Sequence, residues 1–258
     1  DGWGEGKLPT NHNNLIAKAC LWFCRSQGWE PHPWHLKVQN PVPPSRGLGS
    51  SAAAIVTGMS LAQLEHAGML DLDTLFQQAA AMEGHPDNVA PAVFGGLQKI
   101  SRNIENISSE SLPLSSKIAV LLVIPELEKS TSEMRAVVPA SIPPEVQEEN
   151  DRYLRQVLQG LASGEDDNLH ASALDRRHQP YRLAVQKETA AVFKMLNEQP
   201  GIAGAFLSGA GTTIGAWITN GKNPSPAITR AVEQLSISAT VMLVKPDPIG
   251  IQGEIIHA

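Results

Sequence analysis

The apolar and polar positions of the chain alternate between a helical and an extended period. Residues 14–26 carry Leu15, Ala19, Leu21, Trp22 and Phe23 at helical spacing, with Gly28 as the stop. "HLKVQ" (35–39) alternates and predicts a strand, followed by a bend rich in proline, Pro41 to Pro44. A helix from Ser51 to about His66 places Ile55, Val56, Met59 and Ala62 on one face and ends at Gly68. Asp73 is the expected N-cap of a second helix, 74–83, which Gly84 ends. "HPDNVAPAVFGG" (85–96) reads mostly as loop, and its polar groups between apolar elements suggest a lined cleft.

Residues 101–116 are polar and serine-rich, a candidate boundary between lobes spanning 1–115 and 116–258. "KIAVLLVIP" (117–125) predicts a buried strand. Helices are expected over 145–162, 166–176 and 181–196. "GAFLSGAGTTIGAWIT" (204–219) reads as two strands around a glycine turn, followed by a helix from Ser225 to Leu235 and a last strand, "ATVMLVKP". The order β, helices, β-β, α, β predicts an α+β fold with a largely antiparallel sheet.

Composition narrows the function class. The 258 residues are 42 % hydrophobic and 18 % charged, which describes an ordinary globular protein. A formal charge of −6, with no local cluster of Lys or Arg, leaves no footprint for nucleic acid. The longest purely apolar run, Ile118 to Ile124, is far too short to span a membrane. Cys20 and Cys24, one helical turn apart, share a helix face. No second Cys pair or nearby His pair completes a metal site, so they read as reduced core thiols of a cytoplasmic protein.

The candidate chemistry starts at "PSRGLGSSAAA" (44–54). Gly47, Gly49 and Ala52 fit G-x-G-x-x-G/A, the dinucleotide fingerprint. That motif needs a strand running into the first glycine and an acidic residue after the next strand. Pro41, Pro43 and Pro44 interrupt any such strand, and Glu65 and Asp71 both follow helix. A Walker A loop fails because no lysine follows Gly49. A phosphate site remains sound physics: two glycines admit backbone N–H groups to an anion, Ser50 and Ser51 add hydroxyls, and a helix N-terminus follows. An ordinary glycine turn with a serine cap stays open as the alternative.

The loop has company. "PPSRGLGSSAAA" resembles the ATP-binding motif of the GHMP kinases. "EGHPDNVAPAVFGGL" (83–97), "STSEMRAVVP" (130–139), "HQPYR" (178–182), "LSGAGTT" (207–213) and "GEGKLPTNHNNLI" (4–16) are similar to blocks of the homoserine kinase family within it. The resemblance implies a two-lobed fold, with an N-terminal lobe like domain 2 of ribosomal protein S5 and a ferredoxin-like C-terminal lobe. It implies transfer of a phosphoryl group from ATP, with Mg²⁺, to the hydroxyl of L-homoserine in threonine biosynthesis. The family often dimerises. Another GHMP small-molecule kinase and a non-catalytic nucleotide-binding module are the competing readings.

Carried onto this sequence, the family's pattern makes Pro44, Ser45, Arg46, Gly47, Leu48, Gly49, Ser50 and Ser51 the phosphate loop, with Asn14 near the base. Arg46 reads equally as a solvated surface charge. Ser51 and Glu83 are the Mg²⁺ candidates, because that hard cation takes one or two protein oxygens beside phosphates. His85, Asp87 and Asn88 form the catalytic cluster. Asn88 would orient the homoserine hydroxyl, and Asp87 would act as base or hold the geometry. Thr131, Arg135, Arg182 and Gly209 complete the substrate set, since a planar guanidinium matches an α-carboxylate. Arg176 and Arg177 look like surface ion pairs. Thr212 replaces the proline usual in the family's second glycine turn. The family's opening motif, P-x-[ST]-x-A-N-L-G-P-G-F-D, has no counterpart here. With Asp1 in place of Met, the sequence reads as one entered within its first lobe.

Overall fold

A computed structural model describes residues 1–103, 106–127 and 130–256, and the backbone alone at Thr131. The chain forms two compact units: residues 1–44, 49–112 and from 247 onward in the first, and residues 45–48 with 113–246 in the second.

The first unit is built on helices α1 (Leu15–Gln27), α2 (Ser50–Ala67), α3 (Leu72–Glu83) and α4 (Val89–Phe94). Asn14 caps α1, its side-chain oxygen accepting from the Ile16 N–H at 3.0 Å. Helices α1 and α2 cross closely at Gly58, where an added Cβ would meet the Ile16 carbonyl oxygen at 2.2 Å. Phe23, Ile55, Met59, Leu75, Phe76 and Val93 fill the core between the helices. Burying such side chains is worth roughly 1.5–3 kcal/mol each. An antiparallel hairpin of β1 (Leu97–Arg102) and β2 (Ile107–Leu112) follows α4. The chain returns late: Gly96 donates to the Asp247 carbonyl at 2.7 Å, and Ile251 donates to Val93 at 3.2 Å.

The second unit holds strand β3 (Ala119–Pro125), helices α5 (Thr131–Ala136), α6 (Pro144–Ser163), α7 (Gln179–Ala184) and α8 (Lys187–Asn197), then β4 (Gly204–Leu207), β5 (Ile214–Ile218), α9 (Ser225–Gln234) and β6 (Ala239–Val244). A 3-10 segment, Asp166–Leu174, lies between α6 and α7. The strands form one antiparallel sheet in the order β4-β5-β3-β6, with Leu121 opposite Ala216 and Leu243. Central β3 alternates Leu121 and Val123 into a core shared with Val192, Leu196, Ile214, Ile218 and Ile228. The order β-α-β-β-α-β with this pairing is the ferredoxin-like arrangement predicted for the second half.

Several expectations are corrected. Residues 35–39 form no strand; only Asn40 bridges, to Gly2. A strand exists by its ladder, and among the described residues only the end of this proline-flanked segment has a neighbour: Val38 accepts from the Asp1 amino group at 3.2 Å, and Asn40 bonds to Asp1 and Trp3 at 2.9 Å each. The stretch 85–96 is not mostly loop, because Val89, Ala90 and Val93 bury one face and turn it into α4. The polar segment 101–116 contains β2 and part of β1. The hairpin is concealed because its few apolar residues, among them Ile100, Ile107 and Leu112, are scattered between serines and charges without a period of two. Asp71, not Asp73, caps α3. It accepts from the Thr74 hydroxyl at 2.7 Å and N–H at 3.1 Å, and these bonds hold its carboxyl below the usual range. The expected helix 181–196 is two helices, broken near Val185.

Candidate active site

In the first unit the groups of interest gather around the start of α2. Gly49 takes φ +73° as its N-cap, a conformation natural to glycine, and offers no side chain to the helix. The first-turn N–H groups therefore lack an intrahelical partner, and the positive end of an 18-residue helix faces outward. A Cβ on Gly49 would lie 3.3 Å from Asn88 Oδ1, so the loop and the Asn88 amide are packed against each other.

The Ser51 hydroxyl donates to the Glu83 carboxylate at the end of α3. The Glu83 side chain is only 9 % exposed, and its Oε1 lies 3.7 Å from His85 Nε2. On the other side of that ring, Nδ1 bonds Oδ1 of Asp87, which also accepts the Asn88 N–H at 3.0 Å. Asp87 is 66 % exposed, and its Oδ2 has no hydrogen bond among the described residues. Ser51, Glu83, His85, Asp87 and Asn88 thus form one connected polar chain. A cleft of about 210 Å³ opens beside His85 and Pro86, floored by Ala80 and Ala81 and edged by Arg102. Of the stretch 85–96, expected to line a cleft, only His85 and Pro86 border it.

The second unit supplies a different arrangement. Gly47, with φ +74°, presses onto the second glycine turn. A Cβ there would meet the Ser208 oxygen at 2.2 Å and the Gly211 oxygen at 2.8 Å. Ser208 Oγ donates to the Gly47 carbonyl at 2.8 Å, and Thr213 N–H donates to the Arg46 carbonyl at 3.2 Å. Arg46 is not a solvated charge. It is 9 % exposed, and its guanidinium donates to the carbonyls of Pro125 at 3.0 Å and Glu126 at 2.9 Å. These bonds tie the loop to the end of β3.

Arg182 is also committed to backbone. Nε donates to Met134 at 3.1 Å and Nη1 to Gly209 at 2.9 Å, joining α5 to the second glycine turn. Gln186 makes the parallel link, from Nε2 to Met134 Sδ at 3.0 Å and to the Ala210 carbonyl at 3.3 Å. Arg135 differs: it is exposed on α5, and its guanidinium has no hydrogen bond among the described residues. The side chain of Thr131 lies outside the described residues. Asn14 caps α1 with its side-chain oxygen and donates one amide N–H to the Pro9 carbonyl, 2.8 Å away. Arg176 pairs with Glu149, and Arg177 donates to Gln147 at 2.7 Å, as expected of surface arginines.

Sequence reasoning missed Asp175. Its carboxylate accepts from Asn150 Nδ2 at 2.8 Å and from the N–H groups of Arg177, His178 and Gln179 at 3.1, 2.9 and 2.6 Å. Burial pushes this carboxyl up, but the donors, His178 foremost, outweigh it and hold the acid well below the usual carboxylate range. Asp175 therefore fixes the start of α7, from which Arg182 reaches the glycine turn. The available signal was an acid three residues before the "HQPYR" block, the spacing of a capping carboxylate.

Residues 14–96 match the GHMP kinase N-terminal domain model, and residues 158–237 match the GHMP kinase C-terminal model. A homoserine kinase of Moorella thermoacetica is 34 % identical over 247 residues, covering 95 % of this chain and 83 % of that protein. The chain belongs to the homoserine kinase family of GHMP kinases. A second family member, the homoserine kinase of Aquifex aeolicus, is 34 % identical over 256 residues, with 98 % and 85 % covered. The fold is similar to the crystal structure of a homoserine kinase from Cytophaga hutchinsonii, with a TM-score of 0.77 at 20 % identity, covering 96 % of this chain and 81 % of that one. It is also similar to an L. major mevalonate kinase, with a TM-score of 0.66 at 16 % identity over 91 % and 78 % of the two chains. In this homoserine kinase family member, all the blocks quoted above fall on the two clusters just described, apart from the N-terminal one that leads into α1.

Proposed function

We propose that the chain transfers the γ-phosphoryl group of ATP to the side-chain hydroxyl of L-homoserine, giving O-phospho-L-homoserine and ADP, a step of threonine biosynthesis. The observation that carries this reading is the connected chain Ser51–Glu83–His85–Asp87–Asn88 at the open N-terminus of α2. Phosphoryl transfer asks for positioning and charge neutralisation more than for covalent catalysis, and these groups are of the kind that provide both.

The backbone from Gly47 to Ser51 binds the phosphates, without a lysine. The paired oxygens of Ser51 and Glu83 suit Mg²⁺, a hard cation that takes few protein ligands beside phosphate. When bound, the ion neutralises charge on the phosphate oxygens. Asn88 orients the homoserine hydroxyl. Its oxygen forms the new bond to the γ-phosphorus as the bond to the β–γ bridging oxygen breaks, and ADP leaves with that electron pair. The hydroxyl proton passes to Oδ2 of Asp87, the oxygen with no hydrogen bond among the described residues, while His85 holds Oδ1. Arg135 takes the α-carboxylate, and Arg182 and Gly209 set the turn beside it. The two buried, unpaired thiols suit a reducing, cytoplasmic setting. Among the described residues no helix is long and apolar enough to cross a membrane.

The test is Mg-ATP-dependent ADP release with a panel of alcohols. The reading expects kcat/KM for L-homoserine to exceed that for galactose, which has no carboxylate, by at least about 100-fold, the discrimination that a site built to pair a carboxylate provides, and to exceed that for mevalonate, which has a carboxylate but no α-amino group. Equal rates would reassign the substrate within the GHMP kinases, and ATP binding without turnover would favour a regulatory module.

A further inference from the structure

The far end of α2 carries a second cluster of ligating groups. Glu65 and His66 lie in its last turn, and the irregular segment after α1 brings His32 to them. His32 Nδ1 is 3.0 Å from Oε1 of Glu65, and His66 Nε2 is 3.8 Å from Oε2 of the same carboxylate. The three ligand atoms all lie within 4.8 Å of one another. Cys24 Sγ, in the last turn of α1, is 3.8 Å from the same His66 Nε2. Ring packing holds this arrangement: Trp29 stacks on His66 at 4.9 Å, and His66 stacks on His32 at 5.2 Å.

A simple hydrogen bond explains His32 with Glu65. It does not explain why His66 Nε2 also faces that carboxylate, 3.8 Å from Oε2 and too far for a good N–H···O hydrogen bond. Tetrahedral zinc, with bonds of about 2.1 Å to nitrogen and about 2.3 Å to sulfur, places neighbouring ligand atoms about 3.4–3.6 Å apart. The separations of 3.0 and 3.8 Å bracket that spacing.

We propose that His32, Glu65 and His66 bind one divalent transition-metal ion of the zinc class, which fastens the segment 29–40 to the C-terminal end of α2. Two imidazole nitrogens select this class over Mg²⁺. Across the 18 residues of α2 the site lies about 27 Å from the glycine loop, well removed from any nucleotide metal.

The experiment strips the full chain with a chelator and titrates it with Zn²⁺ against a chromophoric competitor, without nucleotide. Melting curves and Co²⁺ absorption spectra are recorded in parallel. The expected result is one equivalent bound, a raised Tm and visible Co²⁺ d–d bands of four-coordinate strength. His32→Ala, at an exposed position that the fold does not need, should weaken binding at least about 10-fold. Glu65→Gln should do the same, and Glu83→Gln should leave zinc binding unchanged. Unaltered zinc affinity in both His32→Ala and Glu65→Gln, absence of any bound equivalent, or loss of binding in Glu83→Gln would each overturn the proposal.

Discussion

The polar cluster of the first unit and that of the second use similar residues in opposite ways. Around Glu83, His85 and Asp87, side chains bond to one another and leave an exposed carboxylate oxygen. Around Arg46, Arg182 and Gln186, side chains bond to backbone carbonyls and hold loops in place. A motif residue of the first kind is available to a substrate. One of the second kind shapes the surface that meets it. Arg135 and Arg182 were read from the sequence as an equivalent pair, yet Arg182 ties Met134 to Gly209 while Arg135 is exposed with no described bond.

The sharpest way to break this distinction is Asp87→Asn. It should lower kcat by about 10²–10⁴-fold if the carboxylate takes the proton, with little change in Tm because the side chain is exposed. A comparable loss of stability would move Asp87 into the scaffolding class. Next in size is Asp175→Ala, which leaves the N–H groups of His178 and Gln179 and the Asn150 amide without their acceptor. It should cost about 3 kcal/mol in urea unfolding, as removal of a shared buried acceptor does, and should lower activity through the displaced α7. Arg135→Lys keeps the charge but loses the fork. An increase in KM for homoserine of about 10-fold, with KM for ATP and Tm unchanged, would separate it from Arg182.

The smallest effect is the pH response. The Asp175 carboxyl is held below its unfolded value, so the stability it contributes is fully present above that unfolded value, about 3.9. It is lost as pH falls through the lower folded value. Wild-type stability should therefore decline more steeply below about pH 4 than that of Asp175→Asn, and parallel acid-unfolding curves would contradict the assignment.

Much of the second unit was legible because its strands are short apolar runs and its glycine turn stands between two of them. "KIAVLLVIP" and "GAFLSGAGTTIGAWIT" could become little else. The hairpin of β1 and β2 was not legible, since polar serines carry no period-2 apolar signal. Residues 35–39 misled for the converse reason: alternation predicts a face, but only a neighbouring strand makes a ladder. At the site, the residue types and blocks were visible in the sequence. Which arginine stays exposed and which acid anchors "HQPYR" depend on contacts between residues far apart in the chain, such as Arg46 with Pro125 and Asp175 with Asn150. The His32–Glu65–His66 cluster was hidden likewise, by the 33 residues separating its members.

The central claim is that this chain joins phosphate to the homoserine hydroxyl. Phosphorus NMR of the full chain incubated with Mg-ATP and L-homoserine tests it most directly. The account predicts one new phosphomonoester resonance, matching O-phospho-L-homoserine, growing in equal amount with ADP and absent from Asp87→Asn on the same timescale. Formation of ADP and inorganic phosphate alone, or an equal phosphomonoester yield from Asp87→Asn, would contradict it.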